Sequence, residues 1–344
     1  MPAPVRPTPA ALLAAALVAL APASTALAQG TRGGFAPLEP QSTGAERIDD
    51  LYWFLVAITT FVLLLVMVPL LVFVVRFRSR GRPRTVEGPQ IRGNTAFEIA
   101  WTLVPVALVA LIIGFTIYKV PGIVDPAEAG EEAATIRAEG RQFYWQFEYE
   151  NGVIAIDHLR LPVGRTTLLR LTAPDGDVIH SFWAPALMGK QDTIPGQLTR
   201  LRIQPTREGT YRLFCGEFCG IQHTAMRGQV EVMPQEEFDA WLEQERRTQQ
   251  EQPIGLGGAI WTGVCAKCHD PELNLAPRLE GNPILNDARA VELVVRRGRG
   301  AMPGVGQRWS EEQMEALQQF LETTLAPQQG GGGGDDGGDD DGDG

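Results

Sequence analysis

The chain has 344 residues, of which 44% are hydrophobic and 21% charged, and this ordinary composition excludes wholesale disorder. Six aspartates in a Gly/Asp-rich tail supply much of the net charge of −11, which would be −5 without them. A chain this acidic is not expected to bind nucleic acid through a basic surface, and four cysteines are too few for a disulfide-dense scaffold.

The N-terminus has the pattern of a secretory signal peptide. Arg6 precedes an apolar stretch from Ala10 to Ala23, and Ala26-Leu27-Ala28 is a small-residue cleavage site. We therefore expect residues 1–28 to be removed. A retained anchor is the alternative, which the short, alanine-rich stretch disfavours.

Two apolar runs predict a membrane hairpin. Leu51 to Val75 is an uncharged run of 25 residues and Ile99 to Tyr118 is a second run of 20. We expect membrane helices at about 51–75 and 97–118, since buried core helices are seldom this long. The loop between them carries six arginines and one glutamate, which predicts that it faces the cytoplasm. The rest of the chain beyond Lys119 would then lie on the periplasmic side of a bacterial inner membrane.

Residues 120–242 form the next predicted domain. Short runs alternate apolar and polar residues between turn signals such as Asn151-Gly152. Runs at this spacing are typical of a β-sandwich or a Greek-key β-barrel. The predicted strands are Thr135–Ala138, Gln142–Glu148, Val153–Ile156, Thr167–Thr172, Leu198–Ile203, Gly209–Phe214 and Gln229–Met233.

A cluster of metal-binding side chains lies in this domain. Cys215, Cys219, His223 and Met226 fall within twelve residues, and His180 lies upstream. Soft sulfur ligands favour copper, and the loop resembles that of a blue-copper protein except that it has two cysteines. Two thiolates can bridge two metals, which predicts a dinuclear copper centre.

Two alternatives remain for these cysteines. A disulfide between them is compatible with an oxidising compartment, but it leaves the positions of the nearby histidine and methionine unexplained. A zinc site is disfavoured by the thioether.

The motifs C-x-E-x-C-x-x-x-H-x-x-M and H-S-x-x-x-P resemble the dinuclear CuA site of cytochrome c oxidase subunit II, over about residues 45–240. The resemblance implies a cupredoxin-like Greek-key β-barrel that binds two copper ions. It also implies that Cys215 and Cys219 bridge the coppers. The further ligands it implies are His180, His223, Met226 and the backbone carbonyl of Glu217.

The same resemblance implies three further roles. The Glu217 carboxylate would reach a magnesium ion at the boundary with subunit I. Glu98 would mark the mouth of a proton path, although a solvated glutamate at a helix start is the alternative. The family usually has Trp where this chain has Phe143, and that Trp passes electrons from soluble cytochrome c to CuA. Phe143 therefore puts the direct route in doubt.

Residues 243–252 are polar and charged, and they read as an exposed helix end and linker. Beyond them, Cys265-Ala266-Lys267-Cys268-His269 has the C-x-x-C-H pattern of covalent c-type haem attachment. His269 would be one iron ligand and Met302 the other, a pair that suits electron transfer. A thioredoxin-like motif lacks the βαβ pattern here, and a zinc site lacks a second pair of ligands.

Residues 253–327 resemble an all-α class I cytochrome c domain. Met314 is expected in its core, in a helix capped by Ser310 with Gln313. The sequence Asn274-Leu275-Ala276-Pro277 resembles the loop that supports the proximal histidine. The predicted helices are Gly257–Cys265, Ala288–Arg296 and Ser310–Thr324.

Fusion of such a domain to subunit II is the mark of caa-type oxidases. The expected function is to pass electrons from a donor cytochrome through haem c and CuA to the O₂-reducing subunit I, with subunit III as a further partner. A nitric oxide reductase subunit and a membrane-tethered carrier without a catalytic partner are the alternatives. If the tethered haem feeds CuA, Phe143 is explained, because a surface port for a separate donor is then less necessary.

The remaining expectations concern acidic residues. Residues 328–344 are expected to be disordered, either as a lure for a basic donor or without a role. Asp177 and Asp192 are candidate docking residues for a donor.

Overall fold

The computed structural model describes residues 36–78, 90–124, 134–251, 253–272 and 275–327. The predicted signal peptide, most of the arginine-rich loop and the acidic tail lie outside these residues.

Two long helices, α1 (Thr43–Arg76) and α2 (Thr95–Val124), match the predicted membrane hairpin. Both are long and apolar enough to cross a membrane. They extend beyond the predicted 51–75 and 97–118, and α1 begins early because Ser42 caps it by accepting a hydrogen bond from the Ala45 N–H. The rings of Phe54 and Phe115 stack at 4.1 Å between the helices.

The sheet domain (residues 134–233) consists of ten strands. They are β1 (Ala134–Arg141), β2 (Tyr144–Tyr149), β3 (Ile154–Ile156), β4 (His158–Pro162), β5 (Thr167–Thr172), β6 (His180–Trp183), β7 (Gln191–Thr193), β8 (Thr199–Ile203), β9 (Gly209–Cys215) and β10 (Arg227–Met233). They form two five-stranded sheets, ordered β3-β2-β1-β5-β8 and β4-β10-β9-β6-β7.

The two sheets pack face to face as a sandwich, because apolar side chains from both meet in one buried cluster. Trp145 and Phe147 of the first sheet contact Phe182 of the second, with ring centroids 5.6 and 6.4 Å apart. Each of these three side chains is fully buried. The sandwich is the frame from which the metal-binding loop extends.

All seven predicted strands are present, β5 with the predicted bounds and the other six with shifted ends, and three further strands were missed: β4, β6 and β7. Residues 142 and 143 were expected in a strand but form the turn between β1 and β2. The pattern of β4 was hidden because Asp157, between β3 and β4, has a positive φ of 57° and breaks the run. β6 and β7 are three or four residues long, too short for a periodic pattern.

The helical domain (residues 253–327) follows a long helix, α3 (Gln235–Glu251). Residues 243–251, expected to be a helix end and linker, are the continuation of α3, since its charged side chains pair along the helix, as Arg246 does with Glu243 at 2.7 Å. The helical segments of the domain are α4 (Pro253–Ile260), a π-helical extension (Trp261–Cys265), α5 (Ala266–His269), a 3₁₀ turn (Pro283–Asn286), α6 (Ala288–Arg297), α7 (Glu311–Phe320) and a π-helical end (Leu321–Leu325).

Helix α7 confirms the predicted cap. Ser310 accepts a hydrogen bond from the Gln313 N–H, and the Gln313 side chain accepts one from the Ser310 N–H. Met314 is 2% exposed, as expected of a core residue.

The helical domain packs on the sheet domain. Tyr144 and Ile156 of the sheet domain are buried in the helical domain's own apolar cluster. Trp309 donates a hydrogen bond from Nε1 to the Tyr144 hydroxyl at 2.6 Å, and the Gln313 amide donates to Gln146 at 2.9 Å. The two domains therefore share a buried interface.

The crossing of α4 and α7 depends on Gly257. A Cβ at this position would overlap the carbonyl oxygen of Ala316. We expect Gly257→Ala to destabilise the helical domain by about 1–3 kcal/mol, because the helices must separate. The measurement is thermal unfolding of the full chain by circular dichroism. Gly258→Ala is the matched control, since its Cβ would meet Phe320 at an ordinary 3.4 Å. Equal melting temperatures of the two variants would contradict the close approach.

Candidate metal centres

The first candidate centre is built by three neighbouring strands. β6 pairs with β9, so that Phe182 faces Cys215, and β9 pairs with β10. His180 opens β6 and Cys215 ends β9. These pairings bring residues that lie 35 positions apart in the sequence to the same end of the second sheet.

The loop from Cys215 to Met226 is closed at its ends. The Cys215 N–H donates a hydrogen bond to the Met226 carbonyl at 3.1 Å, and the Gly216 N–H donates to the Ser181 carbonyl at 2.8 Å. A short 3₁₀ turn, His223–Ala225, directs the second half of the loop back toward the first. Cys215, Cys219 and Met226 are therefore all buried.

The predicted copper ligands converge in this loop. The ligand atoms of His180, Cys215 and Cys219 all lie within 4.8 Å of one another. From Cys219 Sγ, His223 Nδ1 is 3.5 Å away and Met226 Sδ is 3.8 Å away. The Cys215 Sγ lies 3.2 Å from the Glu217 carbonyl oxygen.

The cysteines are not joined by a disulfide. All four cysteines are free in the described chain, and the sulfurs of Cys215 and Cys219 lie 3.9 Å apart. Their hydrogen bond lowers the pKa of Cys215 and raises that of Cys219, because one thiol stabilises the other's thiolate. Two free sulfurs this close together offer the soft ligands that copper prefers.

His180 is oriented by Asp177. Its Nε2 lies 3.2 Å from Asp177 Oδ1, while its Nδ1 is buried and has no hydrogen-bond partner among the described residues. Burial opposes the charge on His180, but the interactions with Asp177 and Cys215 together outweigh it and raise the pKa of His180. A buried ring nitrogen without a partner beside two sulfurs fits a metal ligand, and a carboxylate on the other nitrogen is its usual support.

Asp177 was expected to be a docking residue for a donor, but in the structure its side chain contacts His180. Its side chain is 10% exposed. Burial opposes its ionisation, but hydrogen bonds from His180 and the Val178 N–H outweigh this and lower its pKa. The carboxylate is turned toward the histidine, so it is not free to face a donor. Asp192 is exposed and stays a docking prediction.

Two other predicted site residues lie apart from this cluster. The Glu217 side chain is exposed at the surface of the loop. Glu98 lies in the first turn of α2, which Asn94 begins by accepting hydrogen bonds from the Ala96 and Phe97 N–H groups. Their proposed roles involve other subunits.

The second candidate centre lies in the helical domain. Cys265, Cys268, His269 and Met302 line one pocket. His269 donates from Nδ1 to the Pro277 carbonyl at 2.8 Å, which leaves Nε2 for iron. The support expected from this loop is confirmed at Pro277, whereas Asn274 lies outside the described residues. The thiols, imidazole and thioether fit a covalently attached haem.

Four residues that lie in the two centres or between them were not predicted as site residues. Phe143, noted only as a departure from Trp, lines the haem pocket and lies against Gly220. Gln142 donates to the Cys219 carbonyl at 2.6 Å. Lys267 pairs with Asp157 at 2.5 Å. Lys267 lies within the C-x-x-C-H motif, the one signal that could have drawn attention to it.

Three family profiles match the chain. The transmembrane domain of cytochrome c oxidase subunit II matches residues 37–120, and its periplasmic domain matches residues 152–233. Residues 253–321 match the family described as cytochrome c oxidase, cbb3-type, subunit III.

Curated relatives carry the name cytochrome c oxidase subunit 2. One from Alkalihalophilus pseudofirmus is 35% identical over 60% of this chain and 60% of its own length. One from Thermostichus vulcanus is 29% identical over 70% of this chain and 91% of its own length. One from Synechocystis sp. is 30% identical over 62% of this chain and 76% of its own length. The sulfur-rich loop, the membrane hairpin and these similarities together show that the chain belongs to the cytochrome c oxidase subunit II family and carries a cytochrome c domain at its C-terminal side.

Proposed function

We propose that this chain receives electrons from a donor cytochrome at haem c and passes them through a dinuclear CuA centre to the O₂-reducing subunit I. The observation that carries the proposal is the convergence of His180, Cys215 and Cys219 beside the C-x-x-C-H pocket. Haem and copper would supply one-electron redox chemistry, and these residues would hold them in fixed positions.

Family membership already places the chain in a haem–copper oxidase as a two-pass membrane protein with a copper site and a haem c. The finer assignments are proposals. Two copper ions would be bridged by Cys215 and Cys219, each with one histidine, because two sulfurs 3.9 Å apart can face two metals at once. Met226 and the Glu217 carbonyl would complete the two sites.

Magnesium, protons and partners form the next part of the proposal. The exposed Glu217 carboxylate would bind magnesium at the boundary with subunit I, since hard cations prefer oxygen ligands. Glu98 would lie at the mouth of a proton path. Subunit III, a donor cytochrome c and membrane lipid are the further partners.

The orientation follows from the arginine-rich loop. Arg76, Arg78 and Arg92 flank it in the described residues, and short basic loops remain in the cytoplasm. The sheet and helical domains would therefore lie on the periplasmic side of a bacterial inner membrane.

A nitric oxide reductase would use a similar copper motif, but the family matches do not favour it. Purified from its membrane through this chain, the complex should consume O₂ and show haem a and haem c bands. NO turnover with haem b and no haem a would overturn the oxidase assignment.

The copper assignment is tested by Cys219→Ser. We expect the chain to lose its copper and the complex its O₂ uptake, because a hydroxyl cannot replace a bridging thiolate. Metal analysis and electron paramagnetic resonance on the purified complex measure this, and the haem c band should persist. The control is Glu217→Gln, which keeps the backbone carbonyl and should lose magnesium while retaining copper. Full copper content in the serine variant would rule out the bridge.

The second haem ligand is tested by Met302→Leu. We expect the midpoint potential of haem c to move by on the order of 0.1 V, because axial ligands set haem potentials over about 0.8 V. Redox titration of the complex measures the shift. Met314→Leu should leave the potential unchanged, since Met314 is buried in the core. A shift in that variant alone would transfer the ligand role to Met314.

Asp177 is tested by Asp177→Asn. Loss of the carboxylate should weaken copper retention about 10–100-fold, as is usual when the partner of a metal-bound histidine is lost. Competition with a copper chelator gives the affinity. Asp192→Asn, an exposed acidic residue, serves as the control and should behave as the parent. Equal retention in both variants would show that Asp177 does not support the site.

A further inference from the structure

The interface between the domains contains a buried ion pair next to the haem-attachment motif. Lys267 lies between the two motif cysteines, and its Nζ contacts Asp157 Oδ2 at 2.5 Å. The same ammonium donates to the Phe143 carbonyl at 3.0 Å. The two side chains are 16% and 14% exposed. One lysine thus joins the haem-binding helix α5 to two separate positions of the sheet domain.

Asp157 is held rigidly on its own side. Its N–H donates to the Trp145 carbonyl at 2.8 Å, its carbonyl accepts from the Gln229 N–H at 2.8 Å, and its Oδ1 accepts from the Trp145 N–H at 2.7 Å. These bonds connect it to both sheets. Its φ of 57° is uncommon for a residue other than glycine, and it aims the second carboxylate oxygen at the helical domain.

Burying Asp157 or Lys267 costs free energy unless the oppositely charged partner is present. Burial raises the pKa of Asp157 to about 6, against the opposing charge of Lys267. A carboxylate in such a place without its ammonium would be an unpaired buried charge. The interface therefore favours the docked arrangement in which the two meet.

Phe143 lies next to this pair, between the haem pocket and the copper loop. It lines the haem pocket, and a Cβ at Gly220 would lie 3.1 Å from its ring. Gly220 follows the proposed copper ligand Cys219. Nearby, the Gln222 amide donates to Cys268 Sγ at 2.8 Å, which joins the copper loop to a haem-attachment cysteine. The ion pair thus lies close to the place where the copper loop meets the haem-attachment motif.

We propose that Asp157 and Lys267 are positioning residues that clamp the haem-attachment helix against Phe143 and so set the rate of electron transfer from haem c to CuA. The proposal rests on the function proposed above. Neither residue would bind a metal; each acts through the docking of one domain on the other.

The test is rapid photoreduction of haem c in the purified oxidase, with the oxidation of haem c and the reduction of copper followed in time. Asp157→Asn removes the charge and keeps the oxygen that accepts from Trp145. Lys267→Met removes the other charge. We expect each to slow the transfer about tenfold or more, since an unpaired buried charge weakens docking and the observed rate falls with the fraction of molecules that are docked.

Two further variants distinguish loss of the Asp157–Lys267 charge pair from a general disturbance of the structure. Lys267→Arg keeps the cation and should retain most of the parent rate. Arg160→Met removes a charge from the Arg160–Glu231 pair, which has a 2.8 Å contact within the sheet domain, and should not slow the transfer. If Lys267→Met fails to attach haem, Asp157→Asn tests the clamp from the other domain.

Positioning predicts unchanged midpoint potentials and spectra for both centres. Slowing that comes with shifted potentials would contradict it, because the driving force would then be the cause. Wild-type rates in both Asp157→Asn and Lys267→Met would overturn the clamp.

Hydrogen exchange of the oxidised complex gives a readout that does not depend on electron flow. Peptides covering residues 142–146 and 264–269 should exchange faster in the two variants than in the parent. If the parent itself showed no transfer from haem c to copper, the proposed function would fail. The exchange result alone would then decide whether the clamp exists.

Discussion

The hydrogen bond from the Cys215 N–H to the Met226 carbonyl is the contact on which the copper centre depends. It closes the loop at its base, between two paired strands, so the sulfurs are held by backbone and not by flexible side chains alone. The neighbouring strand β6, which pairs with β9, then holds His180 at a fixed position beside the loop. Such rigid placement suits electron transfer, because the ligands need not move when the metal changes charge.

The helical domain is small, and it obtains part of its core from its neighbour. A segment of this size buries too little apolar surface to be very stable alone. Tyr144 and Ile156 of the sheet domain fill its apolar cluster. A Cβ at Gly263 would overlap Ile156, so the chain comes close enough for backbone and side chain to touch. Stability of the helical domain and its docking are therefore the same physical event.

Two buried polar groups lie near the proposed route of the electrons. His180 Nδ1 has no partner among the described residues, and Asp157 places a carboxylate between two domains. Each buried group lowers the stability of the fold unless it has a partner. The first would be explained by the proposed bound copper, and the second is paired with the lysine of the haem-binding helix. Both groups lie along the proposed route from the haem pocket to the copper loop.

The sequence by itself determined what depends on local chemistry. Two uncharged runs, each long enough to cross a bilayer as a helix, predicted both membrane helices. The spacing of Cys215, Cys219, His223 and Met226 predicted a copper-binding loop. The four-residue strand β6 is too short to show a periodic pattern in the sequence. The sequence also did not show that residues 243–251 continue helix α3, because tertiary contacts help to decide where a helix ends. The contacts of Asp157 with Lys267 and of Tyr144 with Trp309 each join residues more than 100 positions apart in the chain. Only the packing of two sheets and a docked domain could decide these contacts, since no local pattern encodes which distant side chains will meet.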